Sequence, residues 1–440
     1  MGTSTIRNTA LLTGLHLLVD GLCACCVFMQ ALMLDAQSCL ILFILYNALA
    51  FLTQPLMGWV VDKRTDSTNI FKSSIAFLIL GACVALLAQS FGNGQAALSL
   101  LSITLVGLGN SLFHVFGGKS VAAHTGNDMR HLGVFVSSGA IGLVIGERFA
   151  SVTELTTLCL ILLLLAYALL HTPSTLSLRS TTSCDEEFCG NEIHSKARLP
   201  LLLFIMLIVF IRAFLGKMTP GSPDIEQLAQ CGILLGVLAF AGKSLGGFIG
   251  HRIGVWRMLT ITLLLSGISF LLCSTHMTFA MTMTLAINLT MPLTLYLANR
   301  SMPGREGFSF GLLAAMLPLG VGLGSLCADI PIATPLLYAL IATIAIEAIV
   351  LLAMSERRWQ VLAMSVVMNI LTNLPLNILA YHYPQVHTSL PLQIGLECTV
   401  VAIEALLFWV VLQDKRKAFT YSILCNAISY LLGLLYSIVF

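Results

Sequence analysis

The sequence predicts an all-α protein that crosses a membrane many times. Hydrophobic residues make up 58% of the 440 positions and charged residues only 10%, whereas a soluble domain carries roughly 25% charged residues. The mean hydropathy is +0.94, and apolar stretches of about 20 residues, the length that spans a bilayer, recur along the chain. Helices satisfy their own backbone hydrogen bonds inside lipid. The composition therefore excludes a soluble fold.

The apolar stretches predict about fifteen spans, in two sets of six followed by three more. The first set runs approximately 9–33, 38–61, 71–91, 95–118, 131–150 and 153–171. The second set runs approximately 199–217, 229–250, 257–274, 277–299, 307–328 and 333–354. The last three run approximately 360–380, 391–412 and 418–440. The expected architecture is a twelve-helix bundle of two six-helix halves with three additional C-terminal membrane helices.

One long polar segment divides the two sets of six. Residues 172–198 are rich in Ser, Thr and charge, which is typical of a flexible linker. The sequence thus predicts an N-terminal half over 1–171, a C-terminal half over 199–354 and a separate three-helix segment over 355–440.

The basic residues predict the orientation of the spans. If the N-terminus is cytoplasmic, all but four of the 22 Lys and Arg residues lie on the cytoplasmic side, as the positive-inside rule requires. The exceptions are Arg148, Arg212, Lys217 and Lys243. The linker is then cytoplasmic and the C-terminus lies outside. The net charge of +2 indicates no nucleic-acid partner.

Two features recur in both halves and indicate an internal duplication. The loop motifs that close the second and eighth spans contain Gly58, Asp62 and Lys63, and Gly247, His251 and Arg252. A glycine series in the fifth span, Gly133, Gly142 and Gly146, recurs 178 residues later in the eleventh span as Gly311, Gly320 and Gly324. Transporters built from two related halves show such weak symmetry. The alternative is that glycines are common wherever membrane helices pack closely.

Among the ionisable residues that lie within apolar spans are His16, Asp20 and His114. His16 and Asp20 are four residues apart, so they share one face of a helix, and burying both in lipid is unfavourable unless they face a cavity or each other. A His–Asp pair can exchange a proton near neutral pH, which predicts proton coupling. A structural hydrogen bond between helices is the alternative, and it applies equally to His114 in the fourth span.

Arg212 in the seventh span is the strongest candidate for a substrate contact. A guanidinium keeps its charge, so in the membrane it requires a carboxylate, a carbonyl cluster or an anionic substrate. We expect it to contact the substrate or Asp20, and the alternative is an extended side chain that reaches the outer interface. Gln54, Tyr296 and Asn299 are further polar candidates for lining a substrate cavity.

Several of these motifs together resemble a known transporter family. Gly58-xxx-Asp62-Lys63 resembles the loop motif between the second and third spans of the major facilitator superfamily. His16-xxx-Asp20, Gln54-Pro55-xx-Gly58 and Gly107-x-Gly109-xxx-Phe113-His114-xx-Gly117 resemble the fosmidomycin resistance branch of that superfamily. The resemblance covers roughly residues 9–354. It implies a twelve-helix bundle with a central cavity, a gating role for the two loop motifs, and proton-coupled export of small molecules.

The sequence departs from the family at two positions. The series Gly133-x8-Gly142-x3-Gly146 resembles the fifth-span motif of superfamily antiporters, but Glu147 and Arg148 stand where that motif has a proline. Val115 stands where the fosmidomycin resistance branch usually has a proline after the histidine. Both departures bear on the direction of transport and on the substrate.

The last three spans lie outside the resemblance but contain polar patterns. Asn369, Asn373 and Asn377 recur every four residues, and Glu397 and Glu404 lie seven apart on one face of the next span. Because polar groups in hydrocarbon need partners, we expect the two stripes to face each other or the main bundle.

The sequence predicts neither a cofactor nor a metal site. Most of the thirteen cysteines lie in apolar spans, where they pack as small hydrophobic residues. Cys23, Cys25 and Cys26 could form a soft-metal site, although helix packing is the preferred interpretation. Cys184, Cys189 and His194 match no standard zinc spacing.

The alternatives to a transporter are an integral membrane enzyme, a channel or a membrane scaffold. The sequence contains no nucleophile elbow, phosphate loop or metal-binding helix motif, and no selectivity-filter segment. We therefore predict a non-enzymatic secondary transporter that moves a small polar or anionic molecule across the cell membrane by alternating access, coupled to protons and acting in drug efflux as an antiporter.

Overall fold

The computed structural model describes most of the chain. The described residues are 3–64, 66–90, 95–171, 198–217, 232–272, 276–326, 334–354, 356, 358–382, 386 and 389–439. The predicted linker, including Cys184, Cys189 and His194, lies outside these ranges except at Arg198. Within them, a helix occupies each of the fifteen predicted spans. The prediction of an all-α polytopic protein is confirmed.

The helices are labelled here by span. The first six are α1 (Thr3–Ala31), α2 (Ala36–Asp62), α3 (Thr68–Ala88), α4 (Gln95–Thr125), α5 (Met129–Arg148) and α6 (Val152–Leu170). The next six are α7 (Arg198–Lys217), α8 (Gly232–Ile253), α9 (Val255–Leu272), α10 (Met277–Ser301), α11 (Glu306–Leu326) and α12 (Thr334–Ala353). The last three are α13 (Trp359–His382), α14 (Leu390–Leu412) and α15 (Lys415–Val439).

Length and composition make these helices suitable for a bilayer. Ten helices in the described ranges are long and apolar enough to cross a membrane. Large apolar side chains such as Leu56, Leu160 and Leu164 are exposed on their outer faces. Such surfaces are stable in lipid, where the helix satisfies its own backbone hydrogen bonds.

A π-helical turn interrupts α2 at Ala48–Leu52. Pro55 follows it and has no N–H to donate to the preceding turn, which is a common cause of such irregularities. The side chain of Gln54 bonds the freed Ala50 carbonyl at 2.8 Å. The Thr53 hydroxyl bonds the Leu49 carbonyl at 2.5 Å and the Ser111 hydroxyl at 2.8 Å. The turn therefore ties the middle of α2 to α4.

The described chain forms two compact units, each with its own packing. The first contains α1 to α6, α8, residues 255–258 of α9, residues 284–301 of α10 and residues 306–319 of α11. The second contains α7, residues 259–272 of α9, residues 277–283 of α10, residues 320–326 of α11 and α12 to α15. These units are defined by packing and not by evolutionary origin. The predicted division into an N-terminal half and a C-terminal half therefore stays a prediction.

The two glycine series make equivalent contacts, which supports the internal repeat. In the first unit, a Cβ on Gly142 or Gly146 would overlap carbonyl oxygens of α1, and a Cβ on Gly133 would lie 2.8 Å from the Lys243 carbonyl of α8. Gly320 and Gly324 pack in the same way against the backbone of α7 in the second unit, and Gly311 packs against the backbone of α2 in the first. The fifth helix thus contacts the first and eighth helices, and the eleventh contacts the seventh and second. This pattern is the one that a duplicated six-helix unit produces.

Candidate functional site

The three ionisable residues predicted for the N-terminal half meet in the interior of the first unit. His16 and Asp20 lie one turn apart on α1, and His114 faces them from α4. The Nε2 atom of His16 lies 3.3 Å from Oδ2 of Asp20, and the Nε2 atom of His114 lies 3.2 Å from Oδ1. The two Nε2 atoms are 3.0 Å apart. All three side chains are buried, so they form one cluster, named here the His–Asp–His cluster.

The second nitrogen of each ring fixes its tautomer. Nδ1 of His16 lies 2.6 Å from the Phe135 carbonyl oxygen, and Nδ1 of His114 lies 3.0 Å from the Asn110 carbonyl oxygen. Because a carbonyl oxygen can only accept, each Nδ1 must carry the N–H. In a neutral ring, each Nε2 then presents a lone pair to the cluster.

This geometry requires an additional proton. With both rings neutral and Asp20 ionised, two nitrogen lone pairs and a carboxylate would converge without a hydrogen between them. A proton on either Nε2 supplies the missing donor. It also balances the carboxylate, so the cluster has no net charge, the least unfavourable state for buried ionisable groups. The cluster can therefore hold one proton and share it among three groups.

The same groups could hold a metal ion, but a proton fits them better. Their ligand atoms lie within 4.8 Å of one another, and histidines that bind metals often donate Nδ1–H to a carbonyl. A divalent ion with one carboxylate would leave a net positive charge. A single proton leaves the cluster neutral.

The surroundings of the cluster hold its members in place. The His16 ring stacks on Phe135 of α5 with ring centroids 4.6 Å apart. A Cβ on Gly139 would overlap Oδ2 of Asp20 and lie 2.9 Å from Nε2 of His16, so glycine is required for α5 to approach this closely. Cys23 and Tyr46 are further ionisable side chains that interact electrostatically with Asp20.

Two amides on neighbouring helices have buried polar atoms without partners. Asn110 lies one turn before His114 on α4 and is 1% exposed, and its side-chain Oδ1 and Nδ2 atoms form no hydrogen bond with the described residues. Within the same residues, the Oε1 atom of Gln54 is also buried and unpaired. Unpaired buried polar groups are unfavourable, so these atoms are candidates for solute or water contacts. Sequence analysis identified Gln54 and missed Asn110, because a lone asparagine beside glycines has no distinctive spacing.

Arg212 lies in the second half of α7, in the second unit. Its Nη1 atom is buried and has no hydrogen-bonding partner among the described residues. In the first unit, each carboxylate oxygen of Asp20 lies beside a histidine. The roles predicted for Arg212, contact with substrate or with Asp20, stay predictions.

The loop motif at the end of α2 binds the start of α11. The Asp62 carboxylate accepts hydrogen bonds from the backbone N–H groups of Gly307 (2.9 Å) and Phe308 (2.7 Å), an arrangement that the positive end of a helix dipole favours. Lys119 of α4 pairs with the same carboxylate at 3.2 Å. Gly58 allows the two backbones to touch. Together these contacts lock α2, α4 and α11 to one another.

The remaining residues of the two loop motifs have different surroundings. The Lys63 amine lies over the Trp59 ring, 3.2 Å from its centroid. Gly247 of α8 packs against the Met129 carbonyl at the start of α5, which mirrors the contact of Gly58 with α11. His251 stands where the first motif has an aspartate. Arg252 follows it at the end of α8, and the gating role predicted for this motif stays a prediction.

The start of α5 has a carboxylate cap of its own. Asp128 accepts a hydrogen bond from the Arg130 backbone N–H at 2.8 Å and pairs with the Arg130 side chain. Burial acts to raise the pKa of Asp128, but the nearby His131 ring, 3.8 Å away, and the hydrogen bonds from Arg130 outweigh burial and lower it. This helix end therefore does not need an aspartate from α8.

Tyr296 and Asn299 join a polar network near the end of α10. Asn299 donates to Asn127 at 2.9 Å and accepts from the Ser309 hydroxyl at 2.6 Å. The Tyr296 hydroxyl accepts from Arg300 at 3.0 Å. These contacts support a structural role, and the substrate contacts predicted for both residues stay predictions.

Comparison with known proteins identifies the fold. No protein-family model matches the sequence, and no curated protein matches it. Among solved structures, a Major Facilitator Superfamily transporter, FucP, in the outward conformation is similar with a TM-score of 0.58 and 14% identity, over 83% of this chain and 98% of that chain. A variant of the E. coli fucose:proton symporter FucP has a TM-score of 0.53 and 13% identity, over 85% and 99%. The chain thus has the fold of this superfamily, which confirms the predicted fold class.

Proposed function

We propose that this protein is a secondary transporter that moves a small polar or anionic solute by alternating access and couples that movement to protons. The His–Asp–His cluster is the observation that carries the proposal. It is buried, it contains the only group of His, Cys, Asp and Glu ligands that converge in the described residues, and its geometry requires a shared proton. The superfamily fold and the transporters that share it support the proposal further.

The charge of the cluster suggests how coupling works. With one proton the cluster is neutral; a second proton makes it cationic, and release of the first makes it anionic. Either charged state is unfavourable in a buried site unless a solute charge or a change of exposure compensates it. Solute binding and proton binding therefore favour each other in one conformation and oppose each other in another, which is the requirement for coupling.

The charge of the solute is proposed from Arg212, which offers a fixed positive charge within the second unit. An anionic or zwitterionic solute would satisfy the guanidinium. The resemblance to the fosmidomycin resistance branch favours export of small polar drugs, including phosphonates, by exchange with protons. No feature of the described residues favours an enzymatic role.

Reconstitution into liposomes that contain a pH-sensitive dye tests this function directly. Addition of fosmidomycin to proteoliposomes without a pH gradient is expected to change the internal pH, with a rate that saturates as the drug concentration rises. The sign of the pH change reports antiport or symport. Liposomes without protein are the control, and a drug flux that moves no protons would contradict the proposed coupling.

The orientation in the cell membrane is proposed from the basic residues, with a cytoplasmic N-terminus and an outside C-terminus. Single cysteines can be introduced by Asp66→Cys between α2 and α3 and by Ala150→Cys between α5 and α6, in a background without native cysteines. A membrane-impermeant thiol reagent applied to whole cells is expected to label position 150 and not position 66. Labelling of both positions, or of position 66 alone, would refute this topology.

A further inference from the structure

The C-terminal part of the second unit buries two carboxyl groups. Glu347 lies in the second half of α12 and is 1% exposed, and Glu404 lies in the middle of α14 and is fully buried. The functions proposed above use neither residue. The polar stripes predicted for the last three spans account for part of this arrangement, whereas the contribution of α12 was not predicted.

Side chains from α13 and α15 donate hydrogen bonds to these carboxyl groups. Ser365 donates to Oε2 of Glu347 at 2.9 Å, and Asn369 donates to the same oxygen. Thr372 donates to Oε1 of Glu404 at 2.8 Å, and Asn426 of α15 donates to Oε2. These donors and the two glutamates are named here the glutamate cluster.

One oxygen of the glutamate cluster has no partner. Oε1 of Glu347 is buried and forms no hydrogen bond within the described residues. If Glu347 were ionised, this oxygen would carry part of an unsolvated negative charge, which is far more unfavourable than an unpaired neutral oxygen.

The two glutamates lack an ion-pair partner in the part of the chain that the structure describes. Within the described residues, neither forms an ion pair with Lys, Arg or His. The basic residues of α7, which packs against α13 and α14, are Arg198, Arg212 and Lys217. Cys425 of α15 and Glu397 of α14 interact electrostatically with the cluster, and neither can supply positive charge.

A glutamate outside the spans has the ion-pair partner that Glu347 and Glu404 lack among the described residues. Glu356, in the turn before α13, pairs with Arg358 at 2.6 Å. This hydrogen bond lowers the pKa of Glu356 to about 2. Glu347 and Glu404 have no such partner, so ionisation of both would place two uncompensated charges close together in the membrane.

We propose that Glu347 and Glu404 form a second proton-binding site, in which both carboxyl groups are protonated at neutral pH. A sodium ion is a poorer occupant, because the Ser365 and Thr372 hydroxyls are hydrogen-bonded to different glutamates, whereas a cation requires several oxygens around one point. Each proton comes from water and leaves both glutamates neutral. This inference does not rest on the transport function proposed above.

A cavity gives the protons a path to exchange. Thr372, which donates to Glu404, also lines a cavity of about 220 Å³ between α7, α13 and α14. Phe210, Leu371 and Val400 are among the apolar residues around it. Because one polar side chain connects this space to the carboxyl pair, the protons are expected to exchange with solvent without unfolding of the protein.

Infrared spectroscopy of the purified full-length protein tests the proposal. At neutral pH, the wild type is expected to show the carbonyl-stretching band of protonated carboxyl groups, and the band should shift on transfer to D2O. Glu347→Gln and Glu404→Gln should each remove part of this band, and the double substitution should remove both parts. The exposed control Glu147→Gln should leave it unchanged.

Three results would overturn the proposal, and the first two need no variant. The first is a wild-type spectrum without the band at neutral pH, including one in which the band appears only when sodium is replaced by a large organic cation, which would indicate a sodium site. The second is a band that does not shift in D2O, since the protons would then not exchange. The third is a band of unchanged intensity in folded Glu347→Gln and Glu404→Gln.

Discussion

Asp20→Asn is expected to abolish solute accumulation driven by a pH gradient, down to the level of liposomes without protein. Asparagine has the shape of aspartate but no charge, and its amide can donate a hydrogen to one of the two histidine Nε2 atoms that lie 3.2 and 3.3 Å from the carboxylate. With that donor present, the cluster no longer needs an additional proton to satisfy its lone pairs. Solute transport by this variant is then no longer coupled to proton movement.

The substitution should separate coupling from binding. Solute binding and exchange of labelled solute at equal concentrations on both sides should persist in Asp20→Asn, because neither requires net proton movement. The variant should lose the pH dependence of transport together with the solute accumulation that a pH gradient drives. Both readouts use the same proteoliposomes, with the solute concentration inside measured at several external pH values.

Asp35→Asn is the matched control. Asp35 is an exposed carboxylate that caps the start of α2 by accepting from the backbone N–H groups of Gln37 and Ser38. The substitution removes the same charge but keeps the cap, because the asparagine side-chain oxygen can accept the same hydrogen bonds, and it changes no group of the His–Asp–His cluster. If Asp20→Asn retains accumulation and wild-type pH dependence, the coupling role assigned to the cluster is wrong.

Hydropathy was sufficient to predict the helices because lipid imposes a simple requirement on them. Each span needs about 20 apolar residues regardless of its neighbours, so α1 to α15 could be located without tertiary information. The π-helical turn in α2 could not be predicted in the same way. Pro55 marks a place where the helix can be irregular, but the contact of Thr53 with Ser111 of α4 that accompanies the turn is not encoded by local sequence.

The candidate site was predictable only where its members share a helix. His16 and Asp20 could be paired because four residues make one helical turn, whereas the approach of His114 depends on how α4 packs against α1. The close contact of Gly139 with Asp20 could not be predicted either, since many glycines occur in membrane helices. The Asp62 motif was recognised by resemblance, but its contact with the start of α11 lies 245 residues away in the chain.

Arg212→Gln is expected to weaken binding of an anionic solute by roughly 10- to 150-fold in Kd, because a hydrogen bond to a charged group contributes about 1.5–3 kcal/mol. The Nη1 atom of Arg212 is buried and unpaired in the described residues, so a carboxylate or phosphonate would supply its missing acceptor. Arg212→Lys keeps the charge but loses the planar fork that binds such groups in a bidentate way. Its affinity should fall between those of the wild type and Arg212→Gln.

Lys217→Gln provides the control, since it removes an exposed positive charge from the same helix and should leave affinity unchanged. Equilibrium binding to the purified proteins, together with their thermal unfolding, distinguishes two roles for Arg212. A substrate contact lowers affinity in Arg212→Gln with little change in stability. A structural pairing with Asp20 instead lowers stability in each single variant, and exchange of the two residues in Asp20→Arg/Arg212→Asp restores part of it. Unchanged affinity in both Arg212→Lys and Arg212→Gln would exclude the substrate contact. If the guanidinium binds an anionic solute, at least one of these two substitutions must weaken that binding.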